Sequence, residues 1–82
     1  MPDLTMYGTP TCADCVRSRA LLDSLGIGYD WVDIAADAAA AARAQEISGR
    51  TSTPVIALPD GSVLVEPSDS ELSAKLRDLG LA

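Results

Sequence analysis

Histidine and phenylalanine are both absent from this 82-residue chain, and aromatic residues make up only 4% of it. Without histidine there is no imidazole to serve as general acid or base, to activate a serine or cysteine, or to ligate zinc. Without phenylalanine the core must be built from Leu, Val, Ile and Ala. Basic residues are scarce as well: 6 Lys and Arg stand against 12 Asp and Glu, a net charge of −6. Nucleic acid and anionic membrane surfaces are therefore not expected partners, because both require a basic footprint that displaces counterions. There are 2 cysteines, Cys12 and Cys15. A four-cysteine metal site within one chain is excluded, and so is a secreted scaffold held by several disulfides.

Long hydrophobic runs are missing too. The longest uncharged stretch, Leu4 to Ala13, is about half of the ~20 residues that a membrane-spanning helix needs. The N-terminal sequence carries no basic region followed by an apolar stretch, so neither a secretory signal nor an anchor is expected. These features point to a cytoplasmic protein, in which a disulfide is transient and catalytic rather than structural.

Hydrophobic residues account for 48% of the chain, enough for one packed core, and the length leaves no room for a second. Residues 1–82 are expected to form a single domain. Leu4 to Tyr7 reads as a short strand ended by Gly8-Thr9-Pro10. A helix from Cys12 to Leu25 follows, with Thr11 as its N-cap, Val16, Ala20, Leu21 and Leu25 at helical spacing, and Gly26 as its stop. Tyr29 to Ile34 reads as a second strand, parallel to the first through a βαβ connection. Asp37 caps a second helix through the alanine block to Ser48, with Gly49 ending it. The alanines need no functional reason, since alanine is the strongest helix former.

Pro54 to Leu58 and Ser62 to Glu66 read as strands joined at Pro59-Asp60-Gly61, where Asp-Gly marks a tight hairpin. Ser68 and Glu71 have capping-box spacing ahead of a last helix that carries Leu72, Leu76 and Leu79 and ends at Gly80. The order βαβαββα implies an α/β domain: one mixed four-stranded sheet with helices on both faces.

Cys12-Ala13-Asp14-Cys15 falls at the first strand-to-helix junction. A thiol in the opening turn of a helix meets unpaired N–H groups and the positive end of the dipole, and both favour the nucleophilic thiolate. A second cysteine three residues on lies on the same helical face, within disulfide reach. Cys12 is the candidate for attack and Cys15 for resolution. A static staple across so short a loop would remove little unfolded-state entropy. Half of a zinc site shared between two chains, or two unreactive core cysteines, are the other readings of the pair. The position beside a βαβ unit favours redox chemistry over both.

Three segments carry a resemblance. Tyr7-Gly-Thr-Pro-Thr-Cys-Ala-Asp-Cys15, Gly49-Arg-Thr-Ser-Thr-Pro-Val55 and Asp60-Gly-Ser to Pro67-Ser-Asp-Ser-Glu71 stand in the order and spacing of glutaredoxins. The chain resembles that family over nearly its whole length. The resemblance implies a thioredoxin fold with sheet order 2-1-3-4 and three flanking helices. It implies a cis Pro54 beside the cysteine pair, and a Thr53 backbone that pairs with extended substrate as an added strand. It also places Thr11, Arg50, Ser68 and Asp69 where the family holds a low-molecular-weight thiol.

Four positions depart from the pattern that binds glutathione: Ala13-Asp14 between the cysteines, Thr9 in place of a lysine, Thr53 in place of valine, and Glu66-Pro67 in place of Gly-Gly. The Asp-Gly-Ser hairpin and Pro67-Ser68 are more similar to mycoredoxins, which act on mycothiol adducts. Asp14 is expected to tune the site. Its carboxylate opposes the Cys12 thiolate by about 1 kcal/mol or less where solvent screens it, and the helix terminus acts in the other direction with similar size. The expected result is a thiol less acidic than in most glutaredoxins.

The function expected from the residues and the resemblance is dithiol exchange on protein disulfides, or on mixed disulfides with mycothiol or glutathione. No bound cofactor and no metal are expected, and electrons come from a small thiol or from thioredoxin reductase. A monomer is expected. Three alternatives stay open: an electron donor to ribonucleotide reductase served by thioredoxin reductase, a carrier in which Cys12 of two subunits ligates a [2Fe–2S] centre, and a redox-sensing interaction module.

Overall fold

A computed structural model describes residues 4–82 of the chain. Four strands and three helices follow in the expected order: β1 (Thr5–Gly8), α1 (Ala13–Ser24), β2 (Asp30–Asp33), α2 (Ala38–Ser48), β3 (Val55–Ala57), β4 (Val63–Val65) and α3 (Asp69–Asp78). They form one sheet in the order β2-β1-β3-β4. β1 runs parallel to β2 and antiparallel to β3, and β3 is antiparallel to β4. This is the thioredoxin fold.

The strands are short, and each of their ends shifts by one residue from the expected bound. Pro54 has no N–H to give to a ladder, so β3 starts at Val55. At the same end of the sheet β1 reaches Gly8, whose carbonyl accepts the Ile34 N–H at 2.9 Å.

Alternation along β1 and β3 decides where the core lies. Leu4, Met6, Ile56 and Leu58 are buried, and they join Leu22 of α1 and Leu72 and Leu76 of α3 in one cluster. Met6 sits opposite Ile56 in the antiparallel register, so their side chains leave the sheet on the same face. α2 lies against β1 and β4, with Ala44 its buried residue.

Helix ends follow local chemistry at three of the caps foreseen. The Asp37 carboxylate accepts the N–H groups of Ala39 and Ala40 at 3.0 and 3.1 Å. Gly49 closes α2 at φ 71°, a left-handed conformation that side chains resist. Ser68 and Glu71 complete the reciprocal capping box of α3. The hairpin is pinned to α3, since Lys75 Nζ reaches Asp60 Oδ2 at 2.8 Å.

One polar group runs against this economy. Ser18 of α1 is fully buried, and its hydroxyl has no hydrogen-bond partner among the described residues. An unsatisfied buried hydroxyl costs roughly 1–3 kcal/mol of desolvation. Ser18→Ala is expected to raise stability by about 1 kcal/mol, read as a higher denaturant midpoint at unchanged slope; a drop in the midpoint would contradict it.

Candidate functional site

Beyond β1 the chain turns through Thr9, Pro10 and Thr11, closed by the Cys12 N–H donating to the Thr9 carbonyl at 3.2 Å. Cys12 then has extended dihedrals, φ −78° and ψ 117°, and is itself the N-cap of α1. Its Sγ accepts the Cys15 N–H at 3.2 Å. This corrects the expected cap. Propensity favours Thr11 over cysteine there, but the orphan amide of Cys15 is satisfied by sulfur, and Thr11 stays exposed one position earlier. The capping bond is also the bond that stabilises negative charge on the sulfur.

Sheet topology brings a second element to the same atom. β1 pairs with β3, so the segment entering β3 lies beside the residues that follow β1. The Thr53–Pro54 peptide bond is cis. The Thr53 hydroxyl donates to Cys12 Sγ at 3.4 Å, and the Cys12 thiol has the Thr53 carbonyl within 3.8 Å as its own acceptor. The thiolate form keeps the first of these bonds and the thiol form can make the second. At the far side of the proline, its carbonyl accepts the Glu66 N–H at 3.0 Å. Glu66 has φ 50° there, a left-handed conformation that side chains resist.

The two thiols differ in surroundings. Partial burial pushes the Cys12 pKa up, but bonds from Cys15, from Thr53 and from the Cys15 and Asp14 N–H groups outweigh it and hold the thiol below its ordinary value. Cys15 is fully buried, and that burial, with its bond to Cys12, pushes its thiol up. The geometry thus separates a half-buried thiol held below its ordinary pKa from an enclosed one held above it.

Asp14 enters differently from what its spacing suggested. Its carboxylate pairs with Arg17 at 3.0 Å, which offsets the repulsion expected on Cys12, while its N–H supports the thiolate. A screened repulsion of about 1 kcal/mol or less is in any case smaller than charge-assisted hydrogen bonds worth roughly 1.5–3 kcal/mol each. Arg17 also reaches Asp69 Oδ1 at 3.5 Å and donates to the Pro67 carbonyl at 3.4 Å. It therefore joins the starts of α1 and α3 and brings Asp14, Ser68 and Asp69 to one rim.

Arg50 makes no side-chain hydrogen bond to either cysteine among the described residues. It is exposed and lines a cavity of about 280 Å³ with Ile34, Ala41, Gln45 and Ser52. Arg17 was missed in the sequence, although its three-residue spacing from Asp14 is a usable signal. Gly8, whose missing side chain leaves room for the Cys15 sulfur and the Trp31 ring, carries no local signal. No group of three or more His, Cys, Asp or Glu that could hold a metal occurs among the described residues. No helix among them is long and apolar enough to cross a membrane.

The glutaredoxin family model matches residues 4–63, which include both cysteines and the cis proline. The chain belongs to the glutaredoxin family. A protein named as a glutaredoxin in Mycobacterium tuberculosis is 40% identical over 74 residues, spanning 89% of this chain and 88% of its own length. Among solved structures, the glutaredoxin of Brucella melitensis is 32% identical with TM-score 0.67, covering 98% of this chain and 83% of that one. The glutaredoxin of Archaeoglobus fulgidus superposes at TM-score 0.83 with 24% identity, over 94% and 88% of the two chains, and shares the fold. Glutaredoxins are thiol–disulfide oxidoreductases that draw electrons from glutathione-type thiols or a reductase, and this glutaredoxin carries the cysteine pair.

Because the thiolate of Cys12 is the reactive form and its pKa is lowered, attack on a disulfide should fade as pH falls through that lowered pKa. Thr53→Val removes one donor to the sulfur. Its thiolate-absorbance midpoint should move to higher pH than in the native protein, with slower attack below that midpoint. An unmoved midpoint would show that the Thr53 hydroxyl does not hold the charge.

Proposed function

We propose that this glutaredoxin is a cytoplasmic, monomeric dithiol oxidoreductase that reduces protein disulfides and mixed disulfides with a low-molecular-weight thiol, of the mycoredoxin kind. The observation that supports it best is the pairing of an N-capping Cys12 sulfur, held by Thr53, with a buried Cys15 three residues on. In the first step the Cys12 thiolate attacks one sulfur of the substrate disulfide. A mixed disulfide forms on Cys12 and the other sulfur leaves as a thiolate. Cys15 then loses its proton and attacks Cys12 Sγ; the product departs with the bonding electron pair and a Cys12–Cys15 disulfide remains. Two electrons from a small thiol or a reductase restore both thiols.

The remaining site residues take binding roles in this reading. Thr53 and Pro54 present an edge to extended substrate. Thr11, Arg50, Ser68 and Asp69 contact the small thiol. Two carboxylates, Asp14 and Asp69, already share the Arg17 guanidinium on that rim. A glutathione molecule with net negative charge gains little there, which favours an uncharged thiol such as mycothiol.

Trapping tests the assignment of roles. Cys15→Ser should accumulate a mixed disulfide on Cys12, and Cys12→Ser should trap none; full activity in both variants would refute the scheme. A reductant panel tests the electron source. Oxidised protein with mycothiol and mycothione reductase should consume NADPH faster than with glutathione and glutathione reductase. Consumption only with thioredoxin reductase would favour the ribonucleotide-reductase type of donor instead.

A further inference from the structure

Gly8 differs from the chain's turn glycines. Gly26, Gly49, Gly61 and Gly80 have positive φ and open space around the missing side chain. Gly8 is not left-handed, and the space beside it is taken. A Cβ built there would lie 2.5 Å from Cys15 Sγ and 3.0 Å from Cη2 of Trp31. Packing, not backbone conformation, therefore requires glycine at the end of β1.

The second wall is itself braced. The Arg19 guanidinium lies over the Trp31 ring, 4.1 Å from its centroid, and Arg19 Nε donates to the Tyr29 hydroxyl at 3.1 Å. Arg19 follows Cys15 by one turn of α1. Thiol and indole thus both face the empty Cβ position of Gly8, and the helix that presents the thiol also clamps the ring, which has little freedom to retreat.

We infer that Gly8, with Trp31 behind it, forms a seat that fixes the Cys15 sulfur for its attack on Cys12, making Gly8 a positioning residue for the second thiol exchange. In that step the Cys15–Cys12 S–S bond forms, the bond from Cys12 to the substrate sulfur breaks, and the substrate leaves as thiolate with the electron pair. The Cys15 proton passes to solvent or to that thiolate. A methyl group on Gly8 turns Cys15 away from its rotamer and moves its sulfur off the line of attack. The first exchange involves only Cys12 and is untouched.

The inference rests on Cys15 being the resolving thiol, and one experiment separates the two. Fully reduced protein is mixed with one equivalent of dithio-bis-nitrobenzoate. Attack by Cys12 releases a first coloured nitrothiobenzoate, and displacement by Cys15 releases the second. Gly8→Ala should leave the first phase within about twofold of the native rate and slow the second about three- to tenfold. Equal second phases, or both phases slowed alike, would overturn the seat. Release of a single equivalent by the native protein would instead refute Cys15 as resolving thiol.

A thermal cycle reads the steric contact itself. The loss of melting temperature caused by Gly8→Ala should shrink when Cys15 is already Ala, because the sulfur it meets is gone. Should Gly8→Ala alone fail to fold, the double variant is expected to fold. An equal loss in both backgrounds, or a double variant that also fails to fold, would overturn the inference.

Discussion

The bond from the Cys15 amide to the Cys12 sulfur joins the folding of this protein to its chemistry. A helix must satisfy its first amides, and here the acceptor at the cap is a thiol rather than a hydroxyl or carboxylate. Capping of this kind contributes about 1 kcal/mol to a helix in ordinary proteins. On a sulfur it also stabilises the charged form, so helix α1 and thiolate support each other. A histidine-free chain needs no base to make a nucleophile when a helix start does this.

The sheet supplies what the helix start cannot. Pairing of β1 with β3 sets Thr53 and the cis Pro54 against Cys12, forty-one positions earlier in the chain. The same pairing buries Met6 against Ile56, so the hydrophobic register that holds the core also holds the site. The two thiols end in opposite settings, one half-open beneath polar donors and one buried in α1 against Gly8. Their difference in acidity follows from burial and hydrogen bonding, with net charge playing little part. Arg17 pairs with the nearby Asp14, which offsets the repulsion of that carboxylate on the reactive sulfur.

Local chemistry was legible wherever it was complete within a few residues. The Asp37 cap, the Gly49 stop, the Ser68–Glu71 box and the Asp60-Gly61 turn all stand where their residue types predicted. The cap of α1 was misplaced by one position, because propensity ranks threonine above cysteine and knows nothing of which side chain faces the orphan amide. The alternation of apolar residues located the core. Helix and strand limits were less exact, since the last residue of an element is decided by partners such as Ile34 on Gly8. Of the site, both cysteines were legible from spacing, and Thr53 and Pro54 only from resemblance to a family.

The sequence by itself determined the chemical inventory: two sulfurs on one helical face, no imidazole, few cations, and elements in an order that permits one sheet. These follow from residue types and short-range periodicity, which act over a turn or a hairpin. Tertiary structure decided how the two sulfurs differ. The Thr53 hydroxyl on Cys12, the Arg17 guanidinium between Asp14 and Asp69, and the gap at Gly8 that admits the Cys15 sulfur each join residues from separate elements. Contacts of that kind depend on strand pairing and helix packing, and no local pattern encodes them.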